Sequence, residues 1–397
     1  MVLKVADNIY SPLGGTTADN YRAVRQGCSQ LRRYPAKMAP GSDGHGALAG
    51  VSDLPESFFA SLFDWSRVEP VAGFTRFERI VIQSVSRALA RSAVSAGSGR
   101  LLFVLSTTKG NVELLDSRSP QFPPERVLPG VAAQAIARYF GFVNPPLVVS
   151  NACASGLSAQ LTAMRLLESG QYDVAVVCGA DVVSRFVISG FSSLKALSPV
   201  RCRPFDIERM GLNLGEAAAT IIYVNRVTGS EQRALGVELG VDAGWQAVGG
   251  AVCNDAYHIS SPSPTGDGCC RAIRAAMGSE PAGCLAFVSA HGTATMYNDE
   301  MESAAISRAG LSAVPVNSLK GYYGHTMGAA GVLETVLSMA AVDHGCVLQT
   351  LGYEELGVSH SIRVAAENLT TTQRDFLKLM SGFGGCNAAM RFRKLGT

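Results

Sequence analysis

Three short stretches hold residue types that could do covalent chemistry. The first, Val148-Val149-Ser150-Asn151-Ala152-Cys153-Ala154-Ser155-Gly156, reads as a β-branched strand that turns sharply into a helix, with Cys153 at the turn. Small residues at Ala152, Ala154, Ser155 and Gly156 let backbone and substrate approach closely, as a strained nucleophile turn requires. A thiol at a helix N-terminus feels the positive end of the dipole, which favours the thiolate, its nucleophilic form. A lone cysteine is ordinarily a small core hydrophobe. The strand–Cys–helix setting and two histidine turns set Cys153 apart.

The second stretch is Ala290-His291-Gly292-Thr293-Ala294-Thr295, directly after the apolar run Cys284 to Ser289. His291 therefore falls at the C-terminal end of a strand, where α/β sheets place ligands. The third is Lys320-Gly321-Tyr322-Tyr323-Gly324-His325-Thr326-Met327-Gly328-Ala329-Ala330-Gly331, in which His325 sits among glycines ahead of a helix. His45, His344 and His360 lack such surroundings and read as structural. A glycine turn, Ser381-Gly382-Phe383-Gly384-Gly385-Cys386-Asn387, is either a tight hairpin or a loop whose N–H groups could serve an oxyanion.

The elements that must position these residues alternate between strand and helix. Expected strands are Val2 to Ile9, Arg100 to Thr108, Tyr172 to Val183 and Ala217 to Val224, then Ala234 to Ala247, Cys284 to Ala290, Val314 to Ser318, Cys346 to Tyr353, Phe376 to Ser381 and Ala388 to Lys394. Expected helices are Thr16 to Leu31, Phe74 to Val94, Gly130 to Phe140, Ala154 to Gly170, Arg185 to Leu197, Asp267 to Met277, Asp299 to Ala309 and Met327 to His344. Gly249 to Gly266 reads as a long loop, and residues 33–72, with their prolines and glycines, as an inserted cap. Such alternation implies an α/β architecture with mixed sheets covered on both faces. Two halves of similar order suggest an internal duplication, divided at about 1–230 and 231–397.

Composition narrows the function classes. The chain is 47% hydrophobic and 17% charged, which is a globular protein with a large core and not a disordered one. A net charge of +2 makes no case for nucleic acid. The ten cysteines are scattered with no CxxC pair, so neither a zinc site nor a disulfide framework is indicated. Free thiols fit a reducing compartment, no signal-peptide layout opens the chain, and no apolar run reaches a membrane span; the expected location is the cytoplasm.

Taken together, the motifs resemble those of β-ketoacyl-acyl-carrier-protein synthases of the I/II type, condensing enzymes of the thiolase fold. The resemblance rests on Asn151 to Gly156, Gly190-Phe191, Ala196-Leu197-Ser198, Arg203-Pro204-Phe205-Asp206 with Arg209, Gly211, Gly215 and Glu216, and Asp255-Ala256-Tyr257-His258 with Pro262-Ser263-Pro264. It continues through His291 to Thr295, Asn298-Asp299, Glu302, Lys320 to Gly331 and Phe383 to Asn387. These occur in the family's order over most of the chain after about residue 100. His325 stands where the III-type and chalcone-synthase-like enzymes carry Asn, and Cys153 is present where non-condensing chain-length factors lack a nucleophile.

The resemblance implies a duplicated αβαβα fold and a decarboxylative Claisen condensation. An acyl chain held on Cys153 would meet malonyl-acyl carrier protein in fatty-acid or polyene/polyketide elongation. It implies catalytic roles for Cys153, His291, His325, Lys320 and Glu302, with Lys320 and Glu302 as a buried pair orienting the histidines. Thr293, Thr295, Phe383 and Gly384 would line the pantetheine and acyl path, and Arg203, Arg118 and Arg126 would meet the carrier protein. No metal and no cofactor beyond carrier-bound phosphopantetheine is implied. A homodimer, or a heterodimer with a related ketosynthase-like chain, is expected to pair through the strand Leu147 to Ser150. The alternative is a non-catalytic or decarboxylase-only partner subunit of a ketosynthase heterodimer.

Overall fold

The structure, a computed structural model, describes residues 1–35, 54–115, 121–225 and 244–396. Its first half runs β1 (Val2–Tyr10), α1 (Thr17–Arg25), β2 (Arg32–Pro35), β3 (Ser57–Ser61), α2 (Arg76–Ala90), β4 (Leu101–Ser106), α3 (Pro129–Phe140), β5 (Leu147–Val149), α4 (Ser155–Glu168), β6 (Val174–Asp181), α5 (Arg185–Ser193), β7 (Leu214–Gly215) and β8 (Ala217–Asn225). The second runs β9 (Trp245–Asn254), α6 (Asp267–Met277), β10 (Leu285–Ser289), α7 (Met296–Arg308), β11 (Pro315–Asn317), α8 (Lys320–Tyr323), α9 (Ala330–Asp343), β12 (Cys346–Val347), β13 (Arg363–Val364), β14 (Leu369–Thr370), β15 (Asp375–Gly382) and β16 (Cys386–Lys394).

Pairing gives both halves one topology. The first is ordered β5-β4-β6-β8-β1 and the second β11-β10-β15-β16-β9, with β13 added outside β11. In each half the two outer pairings are parallel, β5 with β4 and β4 with β6, or β11 with β10 and β10 with β15. The remaining two are antiparallel. Counting the five main strands of each half in chain order, both read 3-2-4-5-1. A short antiparallel pairing of β1 with β9, Val2 opposite Ala247, joins them.

Strand side chains alternate between two cores, the period of a sheet buried on both faces. In β4, Leu102 and Val104 enter a central core while Leu101, Phe103 and Leu105 enter an outer one with α2 and α3. A third core lies under α6 and α7 in the second half. The central core holds α4 and α9. Alpha9, apolar almost all round, is buried on nearly every side, as such a helix must be. A Cβ on Gly156 would come within 2.9 Å of the Gly331 backbone, so the two helices meet backbone to backbone. The layer order is therefore αβαβα. Among the described residues no helix is long and apolar enough to cross a membrane.

Most expected elements form within a few residues of their expected ends. The loop expected from Gly249 is a correction, because β9 continues to Asn254 and pairs along β16. Gly250 is no breaker here; a Cβ would lie 2.3 Å from the Ala389 carbonyl and 2.8 Å from Leu161, so the strand needs glycine for close packing. The strand expected over Cys346 to Tyr353 shrinks to Cys346–Val347, paired with β14. Helix α1 ends early at Arg25, where Gly27 takes a positive φ of 76°. Residues 36–53 of the expected cap, the stretch 234–243 and the 230/231 boundary lie outside the described residues.

Candidate active site

Beta5 delivers the chain to the nucleophile turn and α4 leaves it. Ala152 takes a φ of +46°, a left-handed conformation that costs a non-glycine residue energy and that surrounding contacts must hold. Ser155 does part of this, its hydroxyl accepting the Asn151 N–H at 2.7 Å. The end of β15 closes the other side: a Cβ on Gly382 would sit 2.9 Å from the Cys153 nitrogen. Cys153 is thereby 7% exposed, facing a cavity.

His291 follows β10 and His325 follows α8, and the two rings meet edge to face with centroids 5.0 Å apart. Cys153 Sγ and one ring nitrogen from each histidine all lie within 4.8 Å of one another. Both rings are buried. Burial first, then the positive charge of Lys320, holds both histidines well below the usual imidazole range, so they are neutral. The Met327 N–H donates to His325 Nδ1 at 3.2 Å. A neutral His325 therefore carries its proton on Nε2, which has no partner among the described residues; His291 Nδ1 is also buried without one among them. Neutral imidazoles beside a thiol, with ring nitrogens left unsatisfied by the described residues, suit a site that receives a substrate oxygen. The same trio is the one convergent set of metal-ligand types among the described residues, and its thiol and imidazoles would suit a soft divalent cation.

Burial pushes the Cys153 thiol up to about 11, against the downward pull of Lys320 and Lys109. Burial thus works against the thiolate that the helix N-terminus favours.

The partner expected for Lys320 is also corrected. Its ammonium bonds Glu334 and, at 3.0 Å, the His291 carbonyl. Glu334 receives a second buried lysine, Lys378, at 2.6 Å, and Lys378 also bonds the Ser289 and Ala290 carbonyls. Glu302 instead accepts the N–H groups of His291 and Gly292, each at 2.7 Å, and fixes that turn. Glu334 and Lys378 escaped sequence reading, although a charge inside an apolar helix and one inside an apolar strand were visible signals. Asp181 was missed as well. It accepts from Thr107, Thr108 and the Gly328 N–H, tying β6 to the His325 turn.

Thr293 and Thr295 line a cavity of 390 Å³ together with Cys153, His291, His325 and Phe383. A second cavity of 160 Å³ also reaches Cys153, and Phe383 borders both. Phe383 is 37% exposed, and its ring centroid lies 6.0 Å from that of Phe191, which also lines both spaces. Gly384 lines neither; its N–H donates to the Ile259 carbonyl at 2.7 Å.

Arg203 and Arg126, expected at the carrier interface, are each held by carboxylates of this chain. Arg203 is committed to Asp206, Glu208 and Glu354 and to the Gly352 carbonyl. Arg126 grips the fully buried Glu78 with two bonds of 2.6 and 2.8 Å, because a carboxylate out of water needs a cation. Arg118 lies outside the described residues.

Two like-ordered half-sheets, with a cysteine turn on one and histidine turns on the other, define a condensing enzyme of the thiolase fold. Residues 5–225 match the β-ketoacyl synthase N-terminal domain and residues 246–354 its C-terminal domain. A 3-oxoacyl-(acyl-carrier-protein) synthase 2 of Rhizobium meliloti is 31% identical over 70% of this chain and 67% of its own length. The ketoacyl synthase alpha subunit of a tetracenomycin polyketide synthase from Streptomyces glaucescens is 33% identical over 66% of this chain and 63% of its own. A ketosynthase in complex with its chain length factor, from Xenorhabdus doucetiae, superposes with a TM-score of 0.81 at 22% identity, covering 99% of this chain and 98% of that one. The chain belongs to the β-ketoacyl synthase family, the condensing enzymes of fatty-acid and polyketide synthesis.

Proposed function

We propose that the protein joins an acyl group on Cys153 to malonyl-acyl carrier protein with loss of CO2. The supporting observation is the convergence of one thiol and two neutral imidazoles within 4.8 Å. In the first half-reaction the Cys153 sulfur bonds to the carbonyl carbon of an acyl thioester. The pantetheine sulfur leaves and takes the thiol proton. In the second, the malonyl C–C bond breaks, CO2 departs, and its electron pair stays as an enolate on the thioester. His291 and His325 donate ring N–H groups to the enolate oxygen as its charge grows. The enolate carbon attacks the acyl carbonyl, and Cys153 leaves as thiolate and takes a proton from water. Glu334 with Lys320 and Lys378, and Glu302, are positioning residues for the histidine turns.

Pantetheine would enter past Thr293 and Thr295, and the acyl group would occupy the cavity beyond Phe383. The chain requires no other cofactor in this scheme. Its partners would be an acyl carrier protein and a second ketosynthase-like chain, identical or related, paired along β5. That strand is one of the two outermost in the sheet among the described residues and is half-buried, and an unpaired edge is a liability that pairing removes. Ten free thiols fit the cytoplasm. The two halves, 1–230 and 231–397, would be duplicates of one unit.

The test is CO2 release from malonyl carrier protein, beside intact-mass detection of acyl-enzyme over a panel of acyl carriers. Both should appear with at least one acyl group. Neither CO2 nor an adduct with any carrier would sink the proposal.

A further inference from the structure

The 160 Å³ cavity holds a charge that an ordinary alkyl chain would not want. Its walls are mostly apolar, with Val187, Phe191, Met327 and Phe383 among them, yet Lys109 also lines it, and so does Cys153. Lys109 is half-buried. Its backbone is pinned, the N–H donating to Asp181 at 3.3 Å and to the Thr107 hydroxyl at 3.4 Å. Its ammonium is not matched in the same way. The one described hydrogen bond is to the Thr108 carbonyl at 3.4 Å, and among the described residues it joins no ion pair. Asp181, the nearby carboxylate, is already taken by the Thr107 and Thr108 hydroxyls and by backbone N–H groups. The ammonium is close enough to Cys153 to draw its thiol pKa down.

The other buried cations of the site, Lys320 and Lys378, share Glu334. Of these three only Lys109 lines the 160 Å³ cavity, and among the described residues that line it there is no carboxylate. An anion bound in this apolar-walled cavity would be favoured by an ammonium that joins no ion pair among the described residues. The space it faces is where, on the reading above, the acyl group on Cys153 lies.

We infer that Lys109 is a specificity-determining residue, selecting a short acyl group whose far end carries a carboxylate. Such a group is the half-thioester of a small dicarboxylic acid. Its methylenes would lie against Phe191, Phe383 and Val187 and its carboxylate on the Lys109 ammonium. The bond exchange at Cys153 is unchanged: the sulfur gains the acyl carbon, and the pantetheine thiol leaves with the proton. The inference rests on the condensing reading and adds the class of acyl group.

The experiment offers the purified protein glutaryl- and valeryl-pantetheine, five-carbon acyl groups that differ in the terminal carboxylate, with acetyl-pantetheine as reference. Acyl-enzyme is followed by intact mass, and the adduct mapped to Cys153. Glutaryl should load at least tenfold faster than valeryl. Lys109→Met should reverse that order, and Lys109→Arg should keep it. High salt should shrink the preference. Equal loading, a valeryl preference in the parent protein, or the same ratio in parent and Lys109→Met would overturn the inference. So would acetyl loading with neither five-carbon group accepted, and in these cases the condensing reading stands. Failure of all three thioesters to load would overturn the inference, and the condensing reading would fall with it only if no acyl carrier protein gave an adduct or CO2 either.

Discussion

The ammonium of Lys320 lies on the carboxylate of Glu334, in the mostly apolar buried helix α9, and not on Glu302. Glu334 thereby balances two buried lysines, because Lys378 occupies its other oxygen. Glu334→Gln should leave two ammonium groups with no counter-charge. Removing one partner of a buried pair typically costs about 3–5 kcal/mol. Urea unfolding should show a loss of that order, with CO2 release from malonyl carrier protein falling as well. Adding Lys378→Met to Glu334→Gln should recover part of the stability, since contacting residues do not act additively. A neutral Glu334→Gln would mean that the triad is not held as described.

The half-reactions should separate. Cys153→Ala should abolish acyl-enzyme and condensation and leave some malonyl decarboxylation. His291→Ala or His325→Ala should do the reverse, with acylation kept and decarboxylation down about 100- to 1000-fold, the usual loss for one oxyanion donor. In the proposed reaction both rings would face one substrate oxygen, so the double variant should fall well short of the product of the singles. Full CO2 release in both single variants would remove the histidines from the chemistry.

Because burial pushes the Cys153 thiol up to about 11, the free enzyme's thiolate should be scarce at neutral pH. Alkylation of Cys153 by iodoacetamide, read by peptide mass mapping, should climb about tenfold per pH unit from pH 7 to 9, the slope of a group titrating above that range. A plateau below pH 8 would show a thiolate already formed.

Burial raises the Glu302 carboxyl to about 7 from an ordinary 4.5. The folded state thus holds a proton that the unfolded chain has released, and this contribution to stability is fully present below about 4.5 and is lost as pH rises through about 7. The shift corresponds to about 3 kcal/mol. In urea melts at pH 5 and pH 8, the parent should lose more stability on going to pH 8 than Glu302→Gln does. Parallel curves would refute the assignment.

Arg203, fastened to three carboxylates, should act through folding. Arg203→Ala should lower Tm and reduce kcat/KM for a carrier-bound thioester and for a small pantetheine mimic by similar factors. A loss confined to the carrier-bound substrate would restore Arg203 as a docking residue.

The sequence by itself determined the local parts of this protein. Cys153 at a strand-to-helix turn, His291 after an apolar strand and His325 ahead of α9 follow from side-chain size and hydrophobic period within about ten residues. Those same rules located α6 from Asp267 to Met277. Tertiary structure decided what distant groups meet. Gly250 looks like a loop residue until Ala389 and Leu161 are packed against it. Lys320 could have paired with any carboxylate the fold brought near, and Glu334 wins because α9 passes beside β15 in the central core. The same holds for the spent charges of Arg203 and Arg126 and for the unspent one of Lys109. An ion pair is set by proximity and by dryness, and both are properties of the packed chain, with no period or spacing along it to announce them.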